Sequence, residues 1–525
     1  MKFANSANAA DASQRSRALT RRAFLATAST LAAAPLIAQG NRPRIVSGVM
    51  AGDTSLDRAV IWSRTDKPAR MLVTWRTSDK GERHKIIGAT SATAGTDFTC
   101  KVPLTRLPAG QRILYEVQFE SSTRELSEPF TGHFMTAPAK PSKIRFVWSG
   151  DVAGQGWGIN PERGGMRGFD AMRLREPDFF IHSGDTIYAD VPIKSEVKLP
   201  DGTMWKNIVT EAKSKVAETL DEFRGNFHYN LLDENIRRFQ SETAQIWQWD
   251  DHEVMNNWSP GRDLSADNRY REKDILKIST RAKQAFLEYS PIPTGSNIYR
   301  KIAYGPLLDV FMLDMRSYRA ANSYNRQTDR SGQTDYLGAV QIDWLKKELA
   351  ASKAVWKVIA SDMPLGLNVP DGKDAEGRMI FENSANGNGP VLGREFEIAE
   401  LLRFMKQRNI RNTVWLTADV HYTAAHYYNP EKAQFHDFLP FWEFVSGPLH
   451  AGMFGPNSTD DTFGIDVKFQ KHAPPGQGNL APSDTTQFYG EIEIDPASRA
   501  MTVVLKDLAG TALFTQTLDP TVLVA

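Results

Sequence analysis

The stretch PDFFIHSGDTIYAD, Pro177 to Asp190, holds an apolar run that stops at Ser183-Gly184-Asp185, with Tyr188 three residues further on. A short continuous apolar run closed by Gly-Asp reads as a strand buried on both faces, its turn carrying a carboxylate beyond the sheet. KIRFVWSGD, Lys143 to Asp151, ends in the same Ser-Gly-Asp, and the helix-like GFDAMRLREP, Gly168 to Pro177, lies between the two. Strand, helix and strand in that order point to an α/β unit. The pattern recurs in AQIWQWDDHE, PLLDVFMLDMR, AVWKVIASDMP and NTVWLTADVH, from Ala244, Pro306, Ala354 and Asn412. The predicted fold class is therefore α/β, with central mixed β-sheets flanked by helices. AVQIDWLKKELAAS, Ala339 to Ser352, and REFEIAELLRFMKQRN, Arg394 to Asn409, have the clearest helical spacing. After Phe488 the runs YGEIEID, MTVVLKD and ALFTQTL alternate, as strands extending a sheet do.

Upstream, from 44 to 137, runs such as AVIWSR, MLVTWRT and ILYEVQFE alternate apolar with polar residues between Gly- and Pro-containing turns. Period-2 patterning without a long helical window predicts a small β-sandwich ahead of the α/β unit. LTRLPAGQRILYEVQF resembles a fibronectin type III or immunoglobulin-like segment, with Tyr115 as an inward anchor. TAPAKPSK, Thr136 to Lys143, reads as the linker, and the α/β unit is expected over 144–525. Further upstream, TRRAFLATASTLAAAPLIA sets Arg21 and Arg22 before a short apolar run that ends at Ala38. This looks like a twin-arginine signal over residues 1–38. It implies export through the twin-arginine machinery to the periplasm or beyond, with no transmembrane anchor in the mature form.

The 525 residues carry 63 Lys+Arg against 62 Asp+Glu, a formal net charge of +1. That balance gives no electrostatic reason to expect nucleic acid as a scaffold. With Cys100 as the one cysteine, an intramolecular disulfide is excluded, so stability must come from the core or from metal.

In α/β sheets, ligands gather outside the carboxyl ends of the strands. Those ends carry Asp151, Asp185 with Tyr188, Asp251 with His252, Asp362, and Asp419 with His421. Left bare, so many acids would repel one another, whereas cations of charge two or three make the cluster favourable. Asn256 and Asn257, after WDDHEVM, add neutral oxygen ligands. A lone Asp at a strand end is more often a cap or turn residue. Repetition at five strand ends is what capping alone does not explain.

The motifs SGDVAG, HSGDTIYAD, WDDHEVMNNW, ASDMPLG and LTADVHYTAAH, in that order, resemble the calcineurin-like metallophosphoesterases. Together with LDMRSYR, EYSPI and WEFVSGPL, they are closer still to the alkaline phosphatase D family. The resemblance runs from about Arg44 to the C-terminus. It implies the four-layer fold of that superfamily and two or more metal ions, Fe3+ plus Ca2+ or another divalent cation. By that resemblance Asp151, Asp185, Tyr188, Asp419 and His421 hold the first metal, with Asp185 bridging and Tyr188 as a tyrosinate. Asp251, with Asn257 as a second candidate, serves the other metal, Asp362 stands at the position of a further metal ligand, and His252 faces the leaving group. Three positions depart from the family's spelling: Asp151 where some members use Cys, Ala418 for Gly, and Asp362 for His or Gln.

Two such cations lower the pKa of a bound water and hold the phosphoryl oxygens, so the implied reaction is attack of metal-bound hydroxide on a small phosphate ester. His252 is the first choice to protonate the leaving oxygen. Arg316 and Arg319, in LDMRSYR, read equally as phosphate ligands or as salt-bridge partners. A phosphodiesterase acting on phospholipid or teichoic-acid-like diesters is the alternative substrate class. The non-enzymatic alternative is a secreted binding module in which the acids hold structural calcium.

Overall fold

The nine-stranded sheet that carries the opening stretch runs, from one edge to the other, Ala512–Leu518, Met501–Asp507, Phe488–Ile494, Ile144–Ser149, Phe179–Ser183, Ala244–Gln248, Ile45–Gly52, Arg58–Thr65 and Thr99–Thr105. This computed structural model describes residues 42–521 apart from 79, 80 and 82. The signal predicted over residues 1–38 lies outside the described residues. A seven-stranded sheet is ordered Arg300–Ala303, Leu308–Met312, Trp356–Ala360, Thr413–Thr417, Phe441–Val445, Thr423–Tyr428 and Ile465–Lys471.

Side-chain alternation explains why the central strands read as unbroken apolar runs. Phe146, Trp148, Phe179 and Ile181 of the first sheet share a core with Val310, Val358 and Leu416 of the second. Their odd-numbered or even-numbered neighbours point the other way. Val147, Phe180 and Trp247 meet the helices Arg167–Arg173, Glu234–Glu242 and Ile275–Tyr289. Phe311, Ile359 and Trp415 meet Ala339–Ala351 and Glu395–Gln407. Both faces of both sheets are thus covered, which gives the expected α/β fold with its four layers.

Three helices on the first face escaped the periodicity reading, Leu220–Asn230, Glu234–Glu242 and Ile275–Tyr289, and their caps explain their starts; the Asp233 side chain accepts from Ile236 N–H at the head of the second. Thr219 and Glu222 form a reciprocal capping box for Leu220–Asn230, and the Asp274 side chain accepts from Leu276 and Lys277 N–H at the head of Ile275–Tyr289.

The sequence divides at Thr136–Lys143, yet the hydrogen-bonded sheet crosses that division. Ile45–Gly52 lies parallel to Ala244–Gln248, with Gly52 opposite Gln245. Against this end packs a four-stranded sheet of His84–Ala92, Ala69–Thr77, Arg112–Glu120 and Phe130–Met135. Tyr115 is buried between the layers. From Pro43 onward the chain packs as one unit, because one core runs from Val49 to Leu505. The strand Phe488–Ile494 pairs antiparallel with Ile144–Ser149 and extends the sheet as expected. Among the described residues no helix is long and apolar enough to cross a membrane.

Candidate metal centre

The strands Ile144–Ser149, Phe179–Ser183 and Ala244–Gln248 are parallel, as are Leu308–Met312, Trp356–Ala360, Thr413–Thr417 and Phe441–Val445 in the facing sheet. Their carboxyl ends therefore open on one side of the molecule. The turns there are tight: Asp151, Asp185, Asp419 and His421 have φ of 65°, 51°, 67° and 59°. Left-handed backbone is rare for residues other than Gly, and Asp and His are among those that tolerate it best. Gly184 has φ 98°, and a Cβ there would lie 2.4 Å from Asp250 Cβ. Only glycine lets the Asp185 turn approach the Asp250 turn this closely. A Cβ on Gly447, in the WEFVSGPL motif, would lie 2.2 Å from Asp151 Oδ2.

The turns bring the candidate ligands into three overlapping groups, each with its ligand atoms within 4.8 Å of one another: Asp151, Asp185 and His421; Asp185, Asp251 and His252; Asp250, Asp251 and Asp419. Asp185 belongs to two of them. Tyr188 is fully buried, its hydroxyl 2.8 Å from His421 Nε2 and its ring stacked on His252 at 4.2 Å. His421 Nδ1 lies 2.6 Å from the Gly452 carbonyl, which can only accept, so Nδ1 carries the proton and Nε2 offers a lone pair. That lone pair faces Tyr188 and lies 4.0 Å from Asp151 Oδ1.

Several of the clustered carboxylate oxygens lack a partner. Both oxygens of Asp151, Oδ2 of Asp250 and Oδ1 of Asp251 are buried and find no hydrogen-bond partner. Burial pushes Asp151 up to about 8, although His252 nearby opposes the rise. Burial also drives Asp185, Asp250 and Asp419 well above the ordinary carboxylate range. For Asp251 burial acts upward too, but His252 and Arg316 outweigh it and hold the group at about 2. Burial lowers His421 to about 4, so its imidazole is neutral and fit to bind metal. Orphaned carboxylate oxygens beside a neutral imidazole and a phenol fit a site for hard or borderline cations.

Other predicted residues sit differently. Asp362 accepts from Met363 N and from Arg316 Nε. Asn257 donates its backbone N–H to Asp251 and its side-chain amide to Asp371, while Asn256 is exposed and donates its backbone N–H to Asp190. Arg316 and Arg319, read equally as phosphate ligands or salt-bridge partners, are both buried. Arg316 has no exposed surface, and its guanidinium is forked among Asp250, Asp362 and Glu382, 3.6 Å from Asp419. Arg319 is buried over the Tyr336 ring and donates to the Glu382 carbonyl. Arg316 is thus committed to buried salt bridges, whereas Nε and Nη1 of Arg319 are buried without a hydrogen-bond partner.

Four residues were missed. Asp250 stands beside Asp251 in WDDHE and belongs to the acid cluster. Glu253, in the same motif, accepts the backbone N–H groups of Asp185, Thr186 and Asp250, tying two ligand turns together. Asp190 accepts from His252 Nδ1 at 2.6 Å and from Asn256 N at 3.0 Å. Adjacency to the motifs could have flagged these three. Glu382 has no local signal at all.

The sequence profile described as PhoD-like phosphatase matches residues 146–505, and its N-terminal-domain counterpart matches 30–138. The chain belongs to the PhoD-like phosphatase family. It is 25% identical to alkaline phosphatase D of Bacillus subtilis (strain 168) over 443 residues, 79% of this chain and 71% of that one. A solved structure of PhoD superposes with a TM-score of 0.64 at 19% identity, covering 94% of each chain. Purple acid phosphatase PPD1 from yellow lupin (Lupinus luteus) seeds gives 0.55 at 14% identity, over 92% of this chain and 78% of that one. The PhoD-like protein described here is a phosphoric ester hydrolase, and its buried acids and histidines make it a metal-dependent one.

Proposed function

We propose that the protein is exported by the twin-arginine pathway as residues following about 38, and that it hydrolyses small phosphate esters in the periplasm or outside the cell. Within it, segment 44–137 is the sandwich and 144–525 the catalytic part. Asp151, Asp185, Tyr188 and His421 would hold Fe3+, and Asp185 with Asp251, joined by Asp250 and Asp419, would hold Ca2+ or another divalent cation. The observation that carries this reading is Asp151, buried with both oxygens unpartnered, 4.0 Å from the unprotonated nitrogen of His421. When bound, the cations supply water activation and charge neutralisation at phosphorus.

The chain's own residues do the rest. Asp185 shares two ligand groups, which supports it as the bridge. His252 is held at Nδ1 by Asp190 and stacked on Tyr188, which leaves Nε2 for the leaving oxygen. Burial opposes its charged form, but Asp190, Asp251 and Asp185 outweigh burial and raise its pKa well above the usual imidazole value. The Asp190 contact at Nδ1 orients it as the donor to the leaving oxygen. Glu253 keeps the Asp185 and Asp250 turns in register.

The alternative substrate is a diester, represented by the second ester arm of bis(p-nitrophenyl) phosphate. Assay of p-nitrophenyl phosphate and of bis(p-nitrophenyl) phosphate, before and after chelation, tests both readings. Chelator-sensitive hydrolysis is expected, and the preferred ester separates the two substrate classes. No hydrolysis of either by metal-loaded protein would return the chain to a calcium-stabilised binding module.

Two smaller predictions attach here. Arg21→Lys with Arg22→Lys should block export, measured by fractionation of cells; unchanged export in a strain without the twin-arginine pathway refutes the assignment. Tyr188→Phe should abolish the visible charge-transfer band of the oxidised protein while leaving its circular dichroism intact. Burial already raises the phenol well above its ordinary value near 10, so a strongly acidic cation such as Fe3+ is required to deprotonate it.

A further inference from the structure

After Asp362 the chain leaves the sheet and forms a hairpin, Pro370–Lys373 against Met379–Phe381, before returning to the helix Glu395–Gln407. Both strands are largely exposed, yet the hairpin is pinned by two carboxylates. Asp371, with its side chain only 8% exposed, accepts from Asn257 Nδ2 at 2.9 Å, Arg262 Nη1 at 2.7 Å and Asn322 Nδ2 at 2.9 Å. Glu382, just beyond the second strand, pairs with Arg316. Two backbone bonds, Phe381 N to Ser323 O and Glu382 N to Val369 O, close the base.

Both carboxylates reach the metal centre through one intermediary. Asn257, at φ 55°, gives its backbone N–H to Asp251 and its side-chain amide to Asp371, so the two acids grip the same residue from different sides. An amide that spends Nδ2 on a carboxylate has its Oδ1 oriented by that bond. Arg316 likewise links Glu382 to Asp250 and Asp362.

We propose that this hairpin is a strap that completes the acidic half of the metal centre. Docking through Asp371 holds Asn257 and with it Asp251, and docking through Glu382 holds Arg316 and with it Asp250. The strap then governs retention of the second, divalent cation, whereas the first, on the Tyr188 and His421 side, is independent of it. Asp371 is a positioning residue in this account, and the inference rests on the two-metal reading above.

The test uses the mature, metal-loaded protein and Asp371→Ala, with Ca2+ titration, metal analysis after gel filtration, and limited trypsin digestion. The expected result is a loss of at least about tenfold in Ca2+ affinity with iron content unchanged, and new cleavage after Lys373 or Arg378. Asp371→Asn keeps an acceptor for Asn257 and should recover most of the affinity. If Asp371→Ala does not fold, Asn322→Ala, which removes one of the three donors to Asp371, should give the same selective loss at smaller size. Unchanged Ca2+ affinity in the variant that folds, or equal loss of both metals, overturns the strap. Absence of metal from the protein with native Asp371 overturns the metal-centre reading instead.

Discussion

Asp185→Ala is expected to lower turnover of p-nitrophenyl phosphate by at least about a thousandfold, because it removes the ligand proposed to bridge the two cations. Asp185 offers one ligand atom to each of two neighbouring groups, so its loss takes a ligand from both proposed sites at once. Asp251 also belongs to two groups, but neither contains Asp151 or His421, so it does not replace Asp185 at the first site. The fold itself should survive, because the Asp185 backbone N–H is held by Glu253 and that bond does not use the Asp185 side chain. Metal analysis and far-ultraviolet circular dichroism distinguish the cases. A folded variant that keeps both metals and more than about a tenth of the activity would remove Asp185 from the bridge.

Arg316→Met has the largest expected effect on stability, about 3–5 kcal/mol, read from urea unfolding of the metal-free protein. The guanidinium is wholly buried and faces Asp250, Asp362 and Glu382, with Asp419 close by. Removing it leaves those carboxylates in a low-dielectric interior with no opposing charge, and a thioether of similar length supplies packing but no hydrogen bonds. Arg316→Lys keeps the charge and loses the fork, so it should fall between the two, since an ammonium cannot bond three acids in one plane. Excess divalent cation should narrow the gap between Arg316→Met and the parent by supplying charge to the same acids. A loss under about 1 kcal/mol would mean that these acids are protonated in the fold and need no counter-ion.

How far the centre could be read from the chain depends on whether each residue announces itself locally. Asp151, Asp185 and Asp419 follow apolar runs that can only be buried strands, and left-handed turns at strand ends favour Gly, Asp and His. Their approach follows from parallel topology: Asp151 and Asp185 lie together with His421, whereas Asp419, expected beside them, groups with Asp250 and Asp251. Asp250 against Asp251 was ambiguous for the same reason: two adjacent acids share every local signal, and only the facing sheet decides which meets Arg316 and which meets His252.

Arg316 itself shows the limit. In sequence it is an arginine in a loop after a strand, equally suited to phosphate or to a carboxylate. Its partners lie 66 residues away on either side, at Asp250 and Glu382, and no local pattern carries that distance. Asp371 was silent in the same way, since a carboxylate's role depends on which donors the fold brings to it.

The sequence by itself determined the α/β class, the strand-end acids, the Tyr188 and His421 pairing with them, and the family. Periodicity, burial and turn chemistry act within a few residues, and they are written in the order of the chain. Only the tertiary structure decided that one sheet runs through the division at Thr136–Lys143, that Arg316 neutralises acids, and that a hairpin grips Asn257. Those outcomes depend on charges and edges meeting across tens to hundreds of residues, where the energy belongs to the pair and neither partner carries a mark of it.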